Sequence, residues 1–204
     1  MPHSHDHHHA RSTSKTRLVF ALVLACAYML AEVIGGLATG SLALLADAGH
    51  MLSDAAALGL SLAALWIAER PADSKRTYGY YRAEILAALV NGAALGAIAI
   101  YIFIEAIRRL AEPTQVLGGW MLVVAVGGLV VNLVMLAILS GGRGESLNIR
   151  GAWLHVLTDT LGSIGAIAAA ALIWLYRWNW IDPAISIAIA LLVIYSGWRL
   201  MLES

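Results

Sequence analysis

The stretch Leu42–Ala68 reads LALLADAGHMLSDAAALGLSLAALWIA and contains 27 residues without a lysine or arginine. A helix needs about 20 apolar residues to cross the hydrocarbon core of a bilayer, so this stretch is long enough to do so alone. It is continuously apolar rather than alternating with a period of two, which disfavours a strand of a membrane barrel. Its ionisable side chains are Asp47, His50 and Asp54. The stretch predicts a membrane-spanning helix with a few polar groups at depth.

Five further apolar stretches flank this one, at residues 18–37, 85–107, 120–139, 152–175 and 184–198. The last is the shortest, but Asp182 and Pro183 before it predict a helix start, with Asp182 as the N-cap. We therefore predict an all-α six-transmembrane-helix bundle, with helices at about 17–38, 42–68, 82–109, 118–140, 150–176 and 183–203. Residues 17–204 are expected to form the transmembrane domain, residues 1–16 a disordered tail, and no C-terminal soluble domain is expected.

The composition excludes several classes of protein. Of the 204 residues, 60% are hydrophobic and 13% charged, whereas a soluble domain has about a quarter charged residues. The 13 basic and 13 acidic residues balance, so no net basic field is available to hold nucleic acid. The single cysteine, Cys26, excludes an intrachain disulfide framework. A multi-pass membrane protein is the class that remains.

The distribution of basic residues predicts the orientation. Cytoplasmic segments of bacterial membrane proteins carry an excess of Lys and Arg. With the N-terminus inside, the cytoplasmic segments hold Arg11, Lys15, Arg17, Arg70, Lys75, Arg76, Arg82, Arg143, Arg150 and Arg199. The opposite side holds Arg108, Arg109 and Arg177. Both termini are therefore expected in the cytoplasm, and the membrane is expected to be the bacterial inner membrane.

Two short motifs repeat inside the apolar helices. The second predicted helix reads His50-Met51-Leu52-Ser53-Asp54, and the fifth reads His155-Val156-Leu157-Thr158-Asp159. The i, i+4 spacing places each imidazole and carboxylate on one face of its helix. If helices one to three and four to six are inverted repeats, the two motifs face each other near the bilayer midplane. Two nitrogen and two oxygen ligands, from His50, Asp54, His155 and Asp159, suit a tetrahedral Zn²⁺ site.

The charge of these four side chains suggests metal–proton exchange. Two aspartates beside two neutral imidazoles carry a charge of −2, which is costly at low dielectric. One divalent metal ion cancels this charge, and so do two protons. An ordinary imidazole titrates near pH 6.5, which keeps such an exchange within the cellular range. The alternative is that each pair only bonds neighbouring helices, but two matching motifs in symmetric positions favour a site.

The sequence resembles the cation diffusion facilitator family over essentially all of the chain after the tail. The resemblance rests on GSLALLADAGH at residues 40–50, on YGYYRAE at residues 78–84, and on NIRGA at residues 148–152 before the second motif. It implies six helices, a homodimer, and export of divalent metal by proton exchange. It also implies the same ligands, His50, Asp54, His155 and Asp159, in the combination of the zinc-preferring branch. Cd²⁺, Co²⁺, Ni²⁺ and Mn²⁺ are further possible substrates.

Two departures from the family pattern bear on function. Members usually carry a cytoplasmic metal-binding domain after the sixth helix, for which this chain has no matching residues. Some also place ligands in the loop between helices two and three, where this chain reads Ser74-Lys75-Arg76-Thr77-Tyr78-Gly79-Tyr80. We therefore predict no second metal site in that loop.

Several other residues are open to two interpretations. Asp47 is a carboxylate that orients His50 or lies on a proton route, or else forms an interhelical hydrogen bond. Glu32 and Asn132 are interpreted as packing partners rather than ligands. Ala88, Gly92 and Gly96 form a small-residue face for a homodimer seam or for packing within one protomer. The tail histidines, His3, His5, His7, His8 and His9, are interpreted as a metal collector that the transport cycle does not need, or else as an affinity tag.

The leading hypothesis is a secondary transporter that moves Zn²⁺ out of the cytoplasm in exchange for protons by alternating access. A passive divalent-metal channel and a metal sensor are the alternatives. An intramembrane metalloenzyme is disfavoured, because the chain has no His-Glu-x-x-His motif and protein ligands fill all four positions of the predicted site.

Overall fold

The computed structural model describes residues 6–68, 77–141 and 147–203, with side chains for part of these ranges. The described residues form α1 (Asp6–Thr39), α2 (Leu42–Ala68), α3 (Thr77–Ala111), α4 (Gly118–Ser140), α5 (Leu147–Tyr176) and α6 (Ile181–Glu203). The prediction of an all-α fold with six helices is confirmed for these ranges. The loop at residues 74–80, in which no second metal site was predicted, lies outside the described side chains.

The helices pack as two connected groups. Helix α1 packs against α2 and α4, and α4 packs against α5. Helices α3 and α6 pack against each other, and this pair lies mainly against α2. Helices α2 and α5, which carry the two motifs, do not pack along their lengths in the described ranges. The two motifs therefore lie on helices that make little contact with each other.

The outer surface of the bundle is apolar. Three described segments, Thr16–Thr39, Gly118–Ser140 and Ile149–Tyr176, are long and apolar enough to cross a membrane. Large apolar side chains on them point outward, among them Leu37 and Trp120, which are 70% and 68% exposed. Water would penalise such a surface, whereas lipid chains would solvate it.

Helix α1 starts earlier than the sequence suggested. Residues 1–16 were expected to be a disordered tail, but α1 begins at Asp6. No proline lies between Asp6 and Thr39, and extending an existing helix is far easier than nucleating a new one. The apolar segment thus carries helical structure back into the polar residues. The side chains of the five tail histidines lie outside the described set.

Asp182 does not cap its own helix as the sequence predicted. Helix α6 begins at Ile181, where the Ile181 N–H donates to the Trp178 carbonyl at 3.1 Å. Asp182 is therefore in the first turn rather than at the N-cap position. Its side chain instead contacts the start of α2, the helix with the first motif.

Gly118 allows α4 and α5 to approach closely where they meet. A Cβ atom at this position would lie 2.7 Å from the backbone nitrogen of Trp174 and 2.9 Å from the Ile173 side chain. We expect Gly118→Ala to cost about 1–3 kcal/mol and to lower the apparent Tm in detergent by about 3–10 °C. Gly165→Ala is the matched control on α5, because its Cβ would meet no atom within 4 Å. An equal Tm for the two variants would contradict the close packing.

Candidate metal centre

The two histidines inside the bundle face each other. His50 lies on α2 and His155 on α5, and their ring centroids are 6.2 Å apart with the planes at 80°. The two helices otherwise remain apart, so this edge-to-face approach is local. Two imidazoles presented from separate helices can supply two nitrogen ligands to one ion placed between them.

Asp159 lies beside His155 on the same face of α5. One of its carboxylate oxygens is 3.6 Å from His155 Nε2, which is an ion-pair distance and longer than a hydrogen bond. The His155 and Asp159 side chains are 37% and 24% exposed, so neither is sealed inside the protein. The i, i+4 spacing has therefore placed the two groups side by side.

The side chain of Asp54, one of the four predicted ligands, lies outside the described set. Among the described side chains, no three His, Cys, Asp or Glu groups are close enough together to hold a metal ion. The structure thus brings His50, His155 and Asp159 into one region without gathering them into a metal cage. The four-ligand site stays a prediction.

Two carboxyl groups, one buried and one half-buried, lie next to this region. Glu32 on α1 is only 1% exposed, and its carboxyl group lies against that of Asp47 on α2. This contact fits the interpretation of Asp47 as a residue that bonds a neighbouring helix. Glu32, which the sequence suggested was a packing residue, is also its partner.

Asn132 supports the turn that carries Asp159. Its amide nitrogen donates to Ser163 Oγ at 3.0 Å, and Ser163 Oγ donates to the backbone carbonyl of Asp159 at 3.0 Å. Asn132 and Ser163 are both buried, so the chain of bonds ties α4 to α5 away from water. This contact fits the interpretation of Asn132 as a packing partner, and it also fixes α5 one turn beyond Asp159.

Tyr28 shows why α1 and α4 are so close at this depth. Its hydroxyl donates to the Val124 carbonyl at 3.1 Å, and its ring occupies the space that a side chain at position 128 would fill. Gly128 therefore leaves room for the ring that packs one turn before Glu32. The sequence offered no signal for this contact beyond a glycine in an apolar helix.

Comparison with known proteins shows the family of the chain. The cation efflux transmembrane domain family matches residues 18–204. The chain is 50% identical over 202 residues to the metal cation efflux system protein CzcD of Cupriavidus metallidurans, covering 99% of this chain and 63% of that protein. It is 48% identical over 202 residues to a cadmium, cobalt and zinc/H(+)-K(+) antiporter of Bacillus velezensis, covering 98% and 64%. It is 47% identical over 208 residues to the zinc transporter ZitB of Escherichia coli, covering 100% and 66%.

The chain thus spans a little under two thirds of the length of the first of these relatives. The chain is a multi-pass membrane protein of bacterial type. Several of its helices are long and apolar enough to cross a membrane, and it has bacterial relatives over nearly its whole length. The chain belongs to the cation efflux family, and residues 18–204 are its transmembrane domain.

Proposed function

We propose that this chain is the membrane part of a divalent-metal efflux transporter that exchanges cytoplasmic metal for protons, with Zn²⁺ as the preferred substrate. The observation that carries the proposal is the approach of His50 on α2 to His155 on α5, with Asp159 beside the second imidazole. Relatives named as zinc transporters and as a metal/proton antiporter support the same assignment.

The proposed site is made of His50, Asp54, His155 and Asp159. Imidazole nitrogens favour Zn²⁺ over Mg²⁺ and Ca²⁺, which prefer oxygen ligands alone. Co²⁺ and Cd²⁺ are the next candidates because they appear in a relative's name, and Ni²⁺ and Mn²⁺ follow from ligand chemistry only. Zn²⁺ would draw the imidazoles and carboxylates inward from the looser arrangement described above.

Protons are the proposed counter-ion. The two aspartates of the site need two positive charges at membrane depth, and either one metal ion or two protons can supply them. The carboxyl groups of Glu32 and Asp47 are two further groups able to bind protons next to the site. Residues able to bind protons therefore lie both in the proposed site and on the helix beside it. With the N-terminus in the cytoplasm, as the basic residues favour, the exchange would export metal across the inner membrane.

A passive channel and a metal sensor are the alternative functions. A channel would let zinc move down its own gradient whatever the pH on the two sides, and a sensor would bind zinc without moving it. Catalysis is disfavoured because no His-Glu-x-x-His motif accompanies the proposed ligands. The dependence of zinc flux on an imposed pH gradient in liposomes separates the three functions. Flux that follows the proton gradient identifies the antiporter.

The open face of α3 supports a homodimer. A Cβ atom at Gly92 or Gly96 would meet no atom within 4 Å, so neither glycine packs against another helix of the described protomer. The side chain of Ala88, the third member of this face, lies outside the described set. Small residues at four-residue spacing allow two helices to approach closely, so this face fits a second copy of the chain.

Gly96→Cys tests this seam in a Cys26→Ala background, which removes the single native thiol. Because α3 would meet its symmetry mate here, mild oxidation in the membrane should give a disulfide-linked dimer on a non-reducing gel. Gly165→Cys on α5 is the control, since its position is equally open. Equal cross-linking of the two variants would exclude α3 as the seam.

A further inference from the structure

Asp182 joins the start of α6 to the start of α2. Its Oδ1 accepts hydrogen bonds from Ser41 Oγ at 2.5 Å and from the Ala43 N–H at 3.2 Å, and its Oδ2 accepts from the Leu42 N–H at 2.8 Å. Three donors of one helix start thus bind a single carboxylate from another helix. The contact links residues about 140 positions apart in sequence.

This carboxylate completes the N-terminus of α2. The first N–H groups of a helix have no partner within the helix, and here the residues that carry them are buried in the protein. Asp182 accepts from Leu42 and Ala43, and Ser41 Oγ accepts from the Leu44 N–H at 3.2 Å. The negative charge also lies at the positive end of the α2 dipole. The first turn of α2 is therefore capped partly by another helix.

Two further contacts hold the same turn, residues 39–43. Gly40 adopts a positive φ of 73°, and its carbonyl accepts a hydrogen bond from the Arg109 guanidinium at the end of α3. Arg109 is in turn paired with Glu105 at 3.0 Å. The Thr39 carbonyl accepts from the Leu117 N–H, just before α4, at 3.0 Å. The 39–43 turn is thus bonded to α3, to α6 and to the entry of α4.

Burial makes this junction difficult to open. Asp182, Ser41 and Ser186 are each 0% exposed, and Leu42 is 1% exposed. Separating α2 from α6 here would leave a buried carboxylate and two N–H groups without partners, which is strongly unfavourable. His50 lies eight residues further along α2, or about 12 Å along the helix axis. The junction thus determines the position of the helix that carries His50.

We infer that Asp182 is a positioning residue, which holds the start of α2 against α6 and thereby places His50, and that this junction stays closed both with and without bound metal. Any motion of α2 relative to α6 during transport then takes place away from this junction. The inference rests on the proposed function, since it assigns Asp182 a part in placing a metal ligand.

A cysteine pair in the full chain tests the inference. Ser41→Cys with Asp182→Cys, in the Cys26→Ala background, replaces the junction by a disulfide when oxidised and breaks it when reduced. We expect the oxidised protein in liposomes to carry zinc at close to the wild-type rate and the reduced protein to be about tenfold slower, as is typical when a residue that orients a ligand is lost. Ser186→Ala is the matched control, because this buried hydroxyl bonds only the backbone carbonyl of Asp182 among the bonds described.

The opposite results would overturn the inference in distinct ways. Equal rates for the two forms would show that the junction does not position His50. A blocked oxidised form beside an active reduced form would show that the junction must open during transport. Ser186→Ala should transport like the wild type, and a tenfold loss there would show that any change at this helix start is damaging, which removes the special role of Asp182.

Amide hydrogen exchange of the wild-type protein gives a second test that does not depend on transport. The N–H groups of Leu42, Ala43 and Leu44 should exchange slowly both without metal and with saturating zinc, because their acceptors are buried. Fast exchange in either state would overturn the closed junction even if transport is normal. Slow amide exchange together with no zinc transport in response to an imposed proton gradient would contradict the proposed function. The closed junction would still be supported.

Discussion

Asp159→Asn is expected to weaken zinc binding by a factor of about 100 or more, since even the partners that orient a metal ligand contribute 10–100-fold to affinity. The substitution keeps the size of the side chain and removes its charge. The carboxylate lies 3.6 Å from His155 Nε2, so its loss affects both a proposed ligand and the group next to it. Isothermal titration with zinc in detergent measures the change.

The tail histidines would also bind zinc, so the titration requires a background in which His3, His5, His7, His8 and His9 are alanine. Thr158→Val is the matched control. Thr158 belongs to the same motif, but it is exposed and donates only to the Leu154 carbonyl of its own helix at 3.1 Å among the bonds described. It should bind zinc as the parent does. Equal affinities for Asp159→Asn and Thr158→Val would exclude Asp159 as a ligand.

Zinc binding is expected to release between about one and two protons near neutral pH, because metal ligands must be deprotonated before they bind. Imidazoles and carboxylates that hold protons in the empty site would give them up to the metal. Because protons compete with zinc for the ligands, the apparent affinity for zinc rises with pH and falls as the pH is lowered. Titrations in two buffers with different heats of ionisation count the protons.

The slope of log affinity against pH gives an independent count. Asp159→Asn should release fewer protons than the parent at the same pH, because one titratable ligand is missing. Zinc affinity that does not change between acidic and alkaline buffers, with no proton release, would contradict metal–proton exchange at this site.

The sequence was most informative about features that depend on the geometry of a single helix. The i, i+4 spacing of His155 and Asp159 depends only on helical geometry, and the structure shows the two groups side by side. The membrane-spanning stretches follow from apolar length, and the described ranges contain the expected number of six helices. The approach of His50 to His155 follows from repeat symmetry, which the sequence displayed through its two matching motifs.

Contacts between helices that are distant in sequence could not be predicted from the sequence pattern. Asp182 before Pro183 has the pattern of an N-cap, but α6 begins one residue earlier and the start of α2 supplies three donors to its carboxylate. Glu32 looked like a packing residue because nothing in α1 indicates that Asp47 lies opposite it. The start of α1 at Asp6 reflects helix extension, which a boundary between apolar and polar residues does not reveal.

The central claim is metal–proton exchange through the site on α2 and α5. The most direct test reconstitutes the chain in liposomes that enclose a zinc-sensitive dye, imposes a pH gradient, and compares the wild type with Asp159→Ala. We predict zinc flux that follows the size and direction of the proton gradient in the wild type and is abolished in the variant. Flux that ignores the gradient, or that is equal in the two proteins, would contradict the claim.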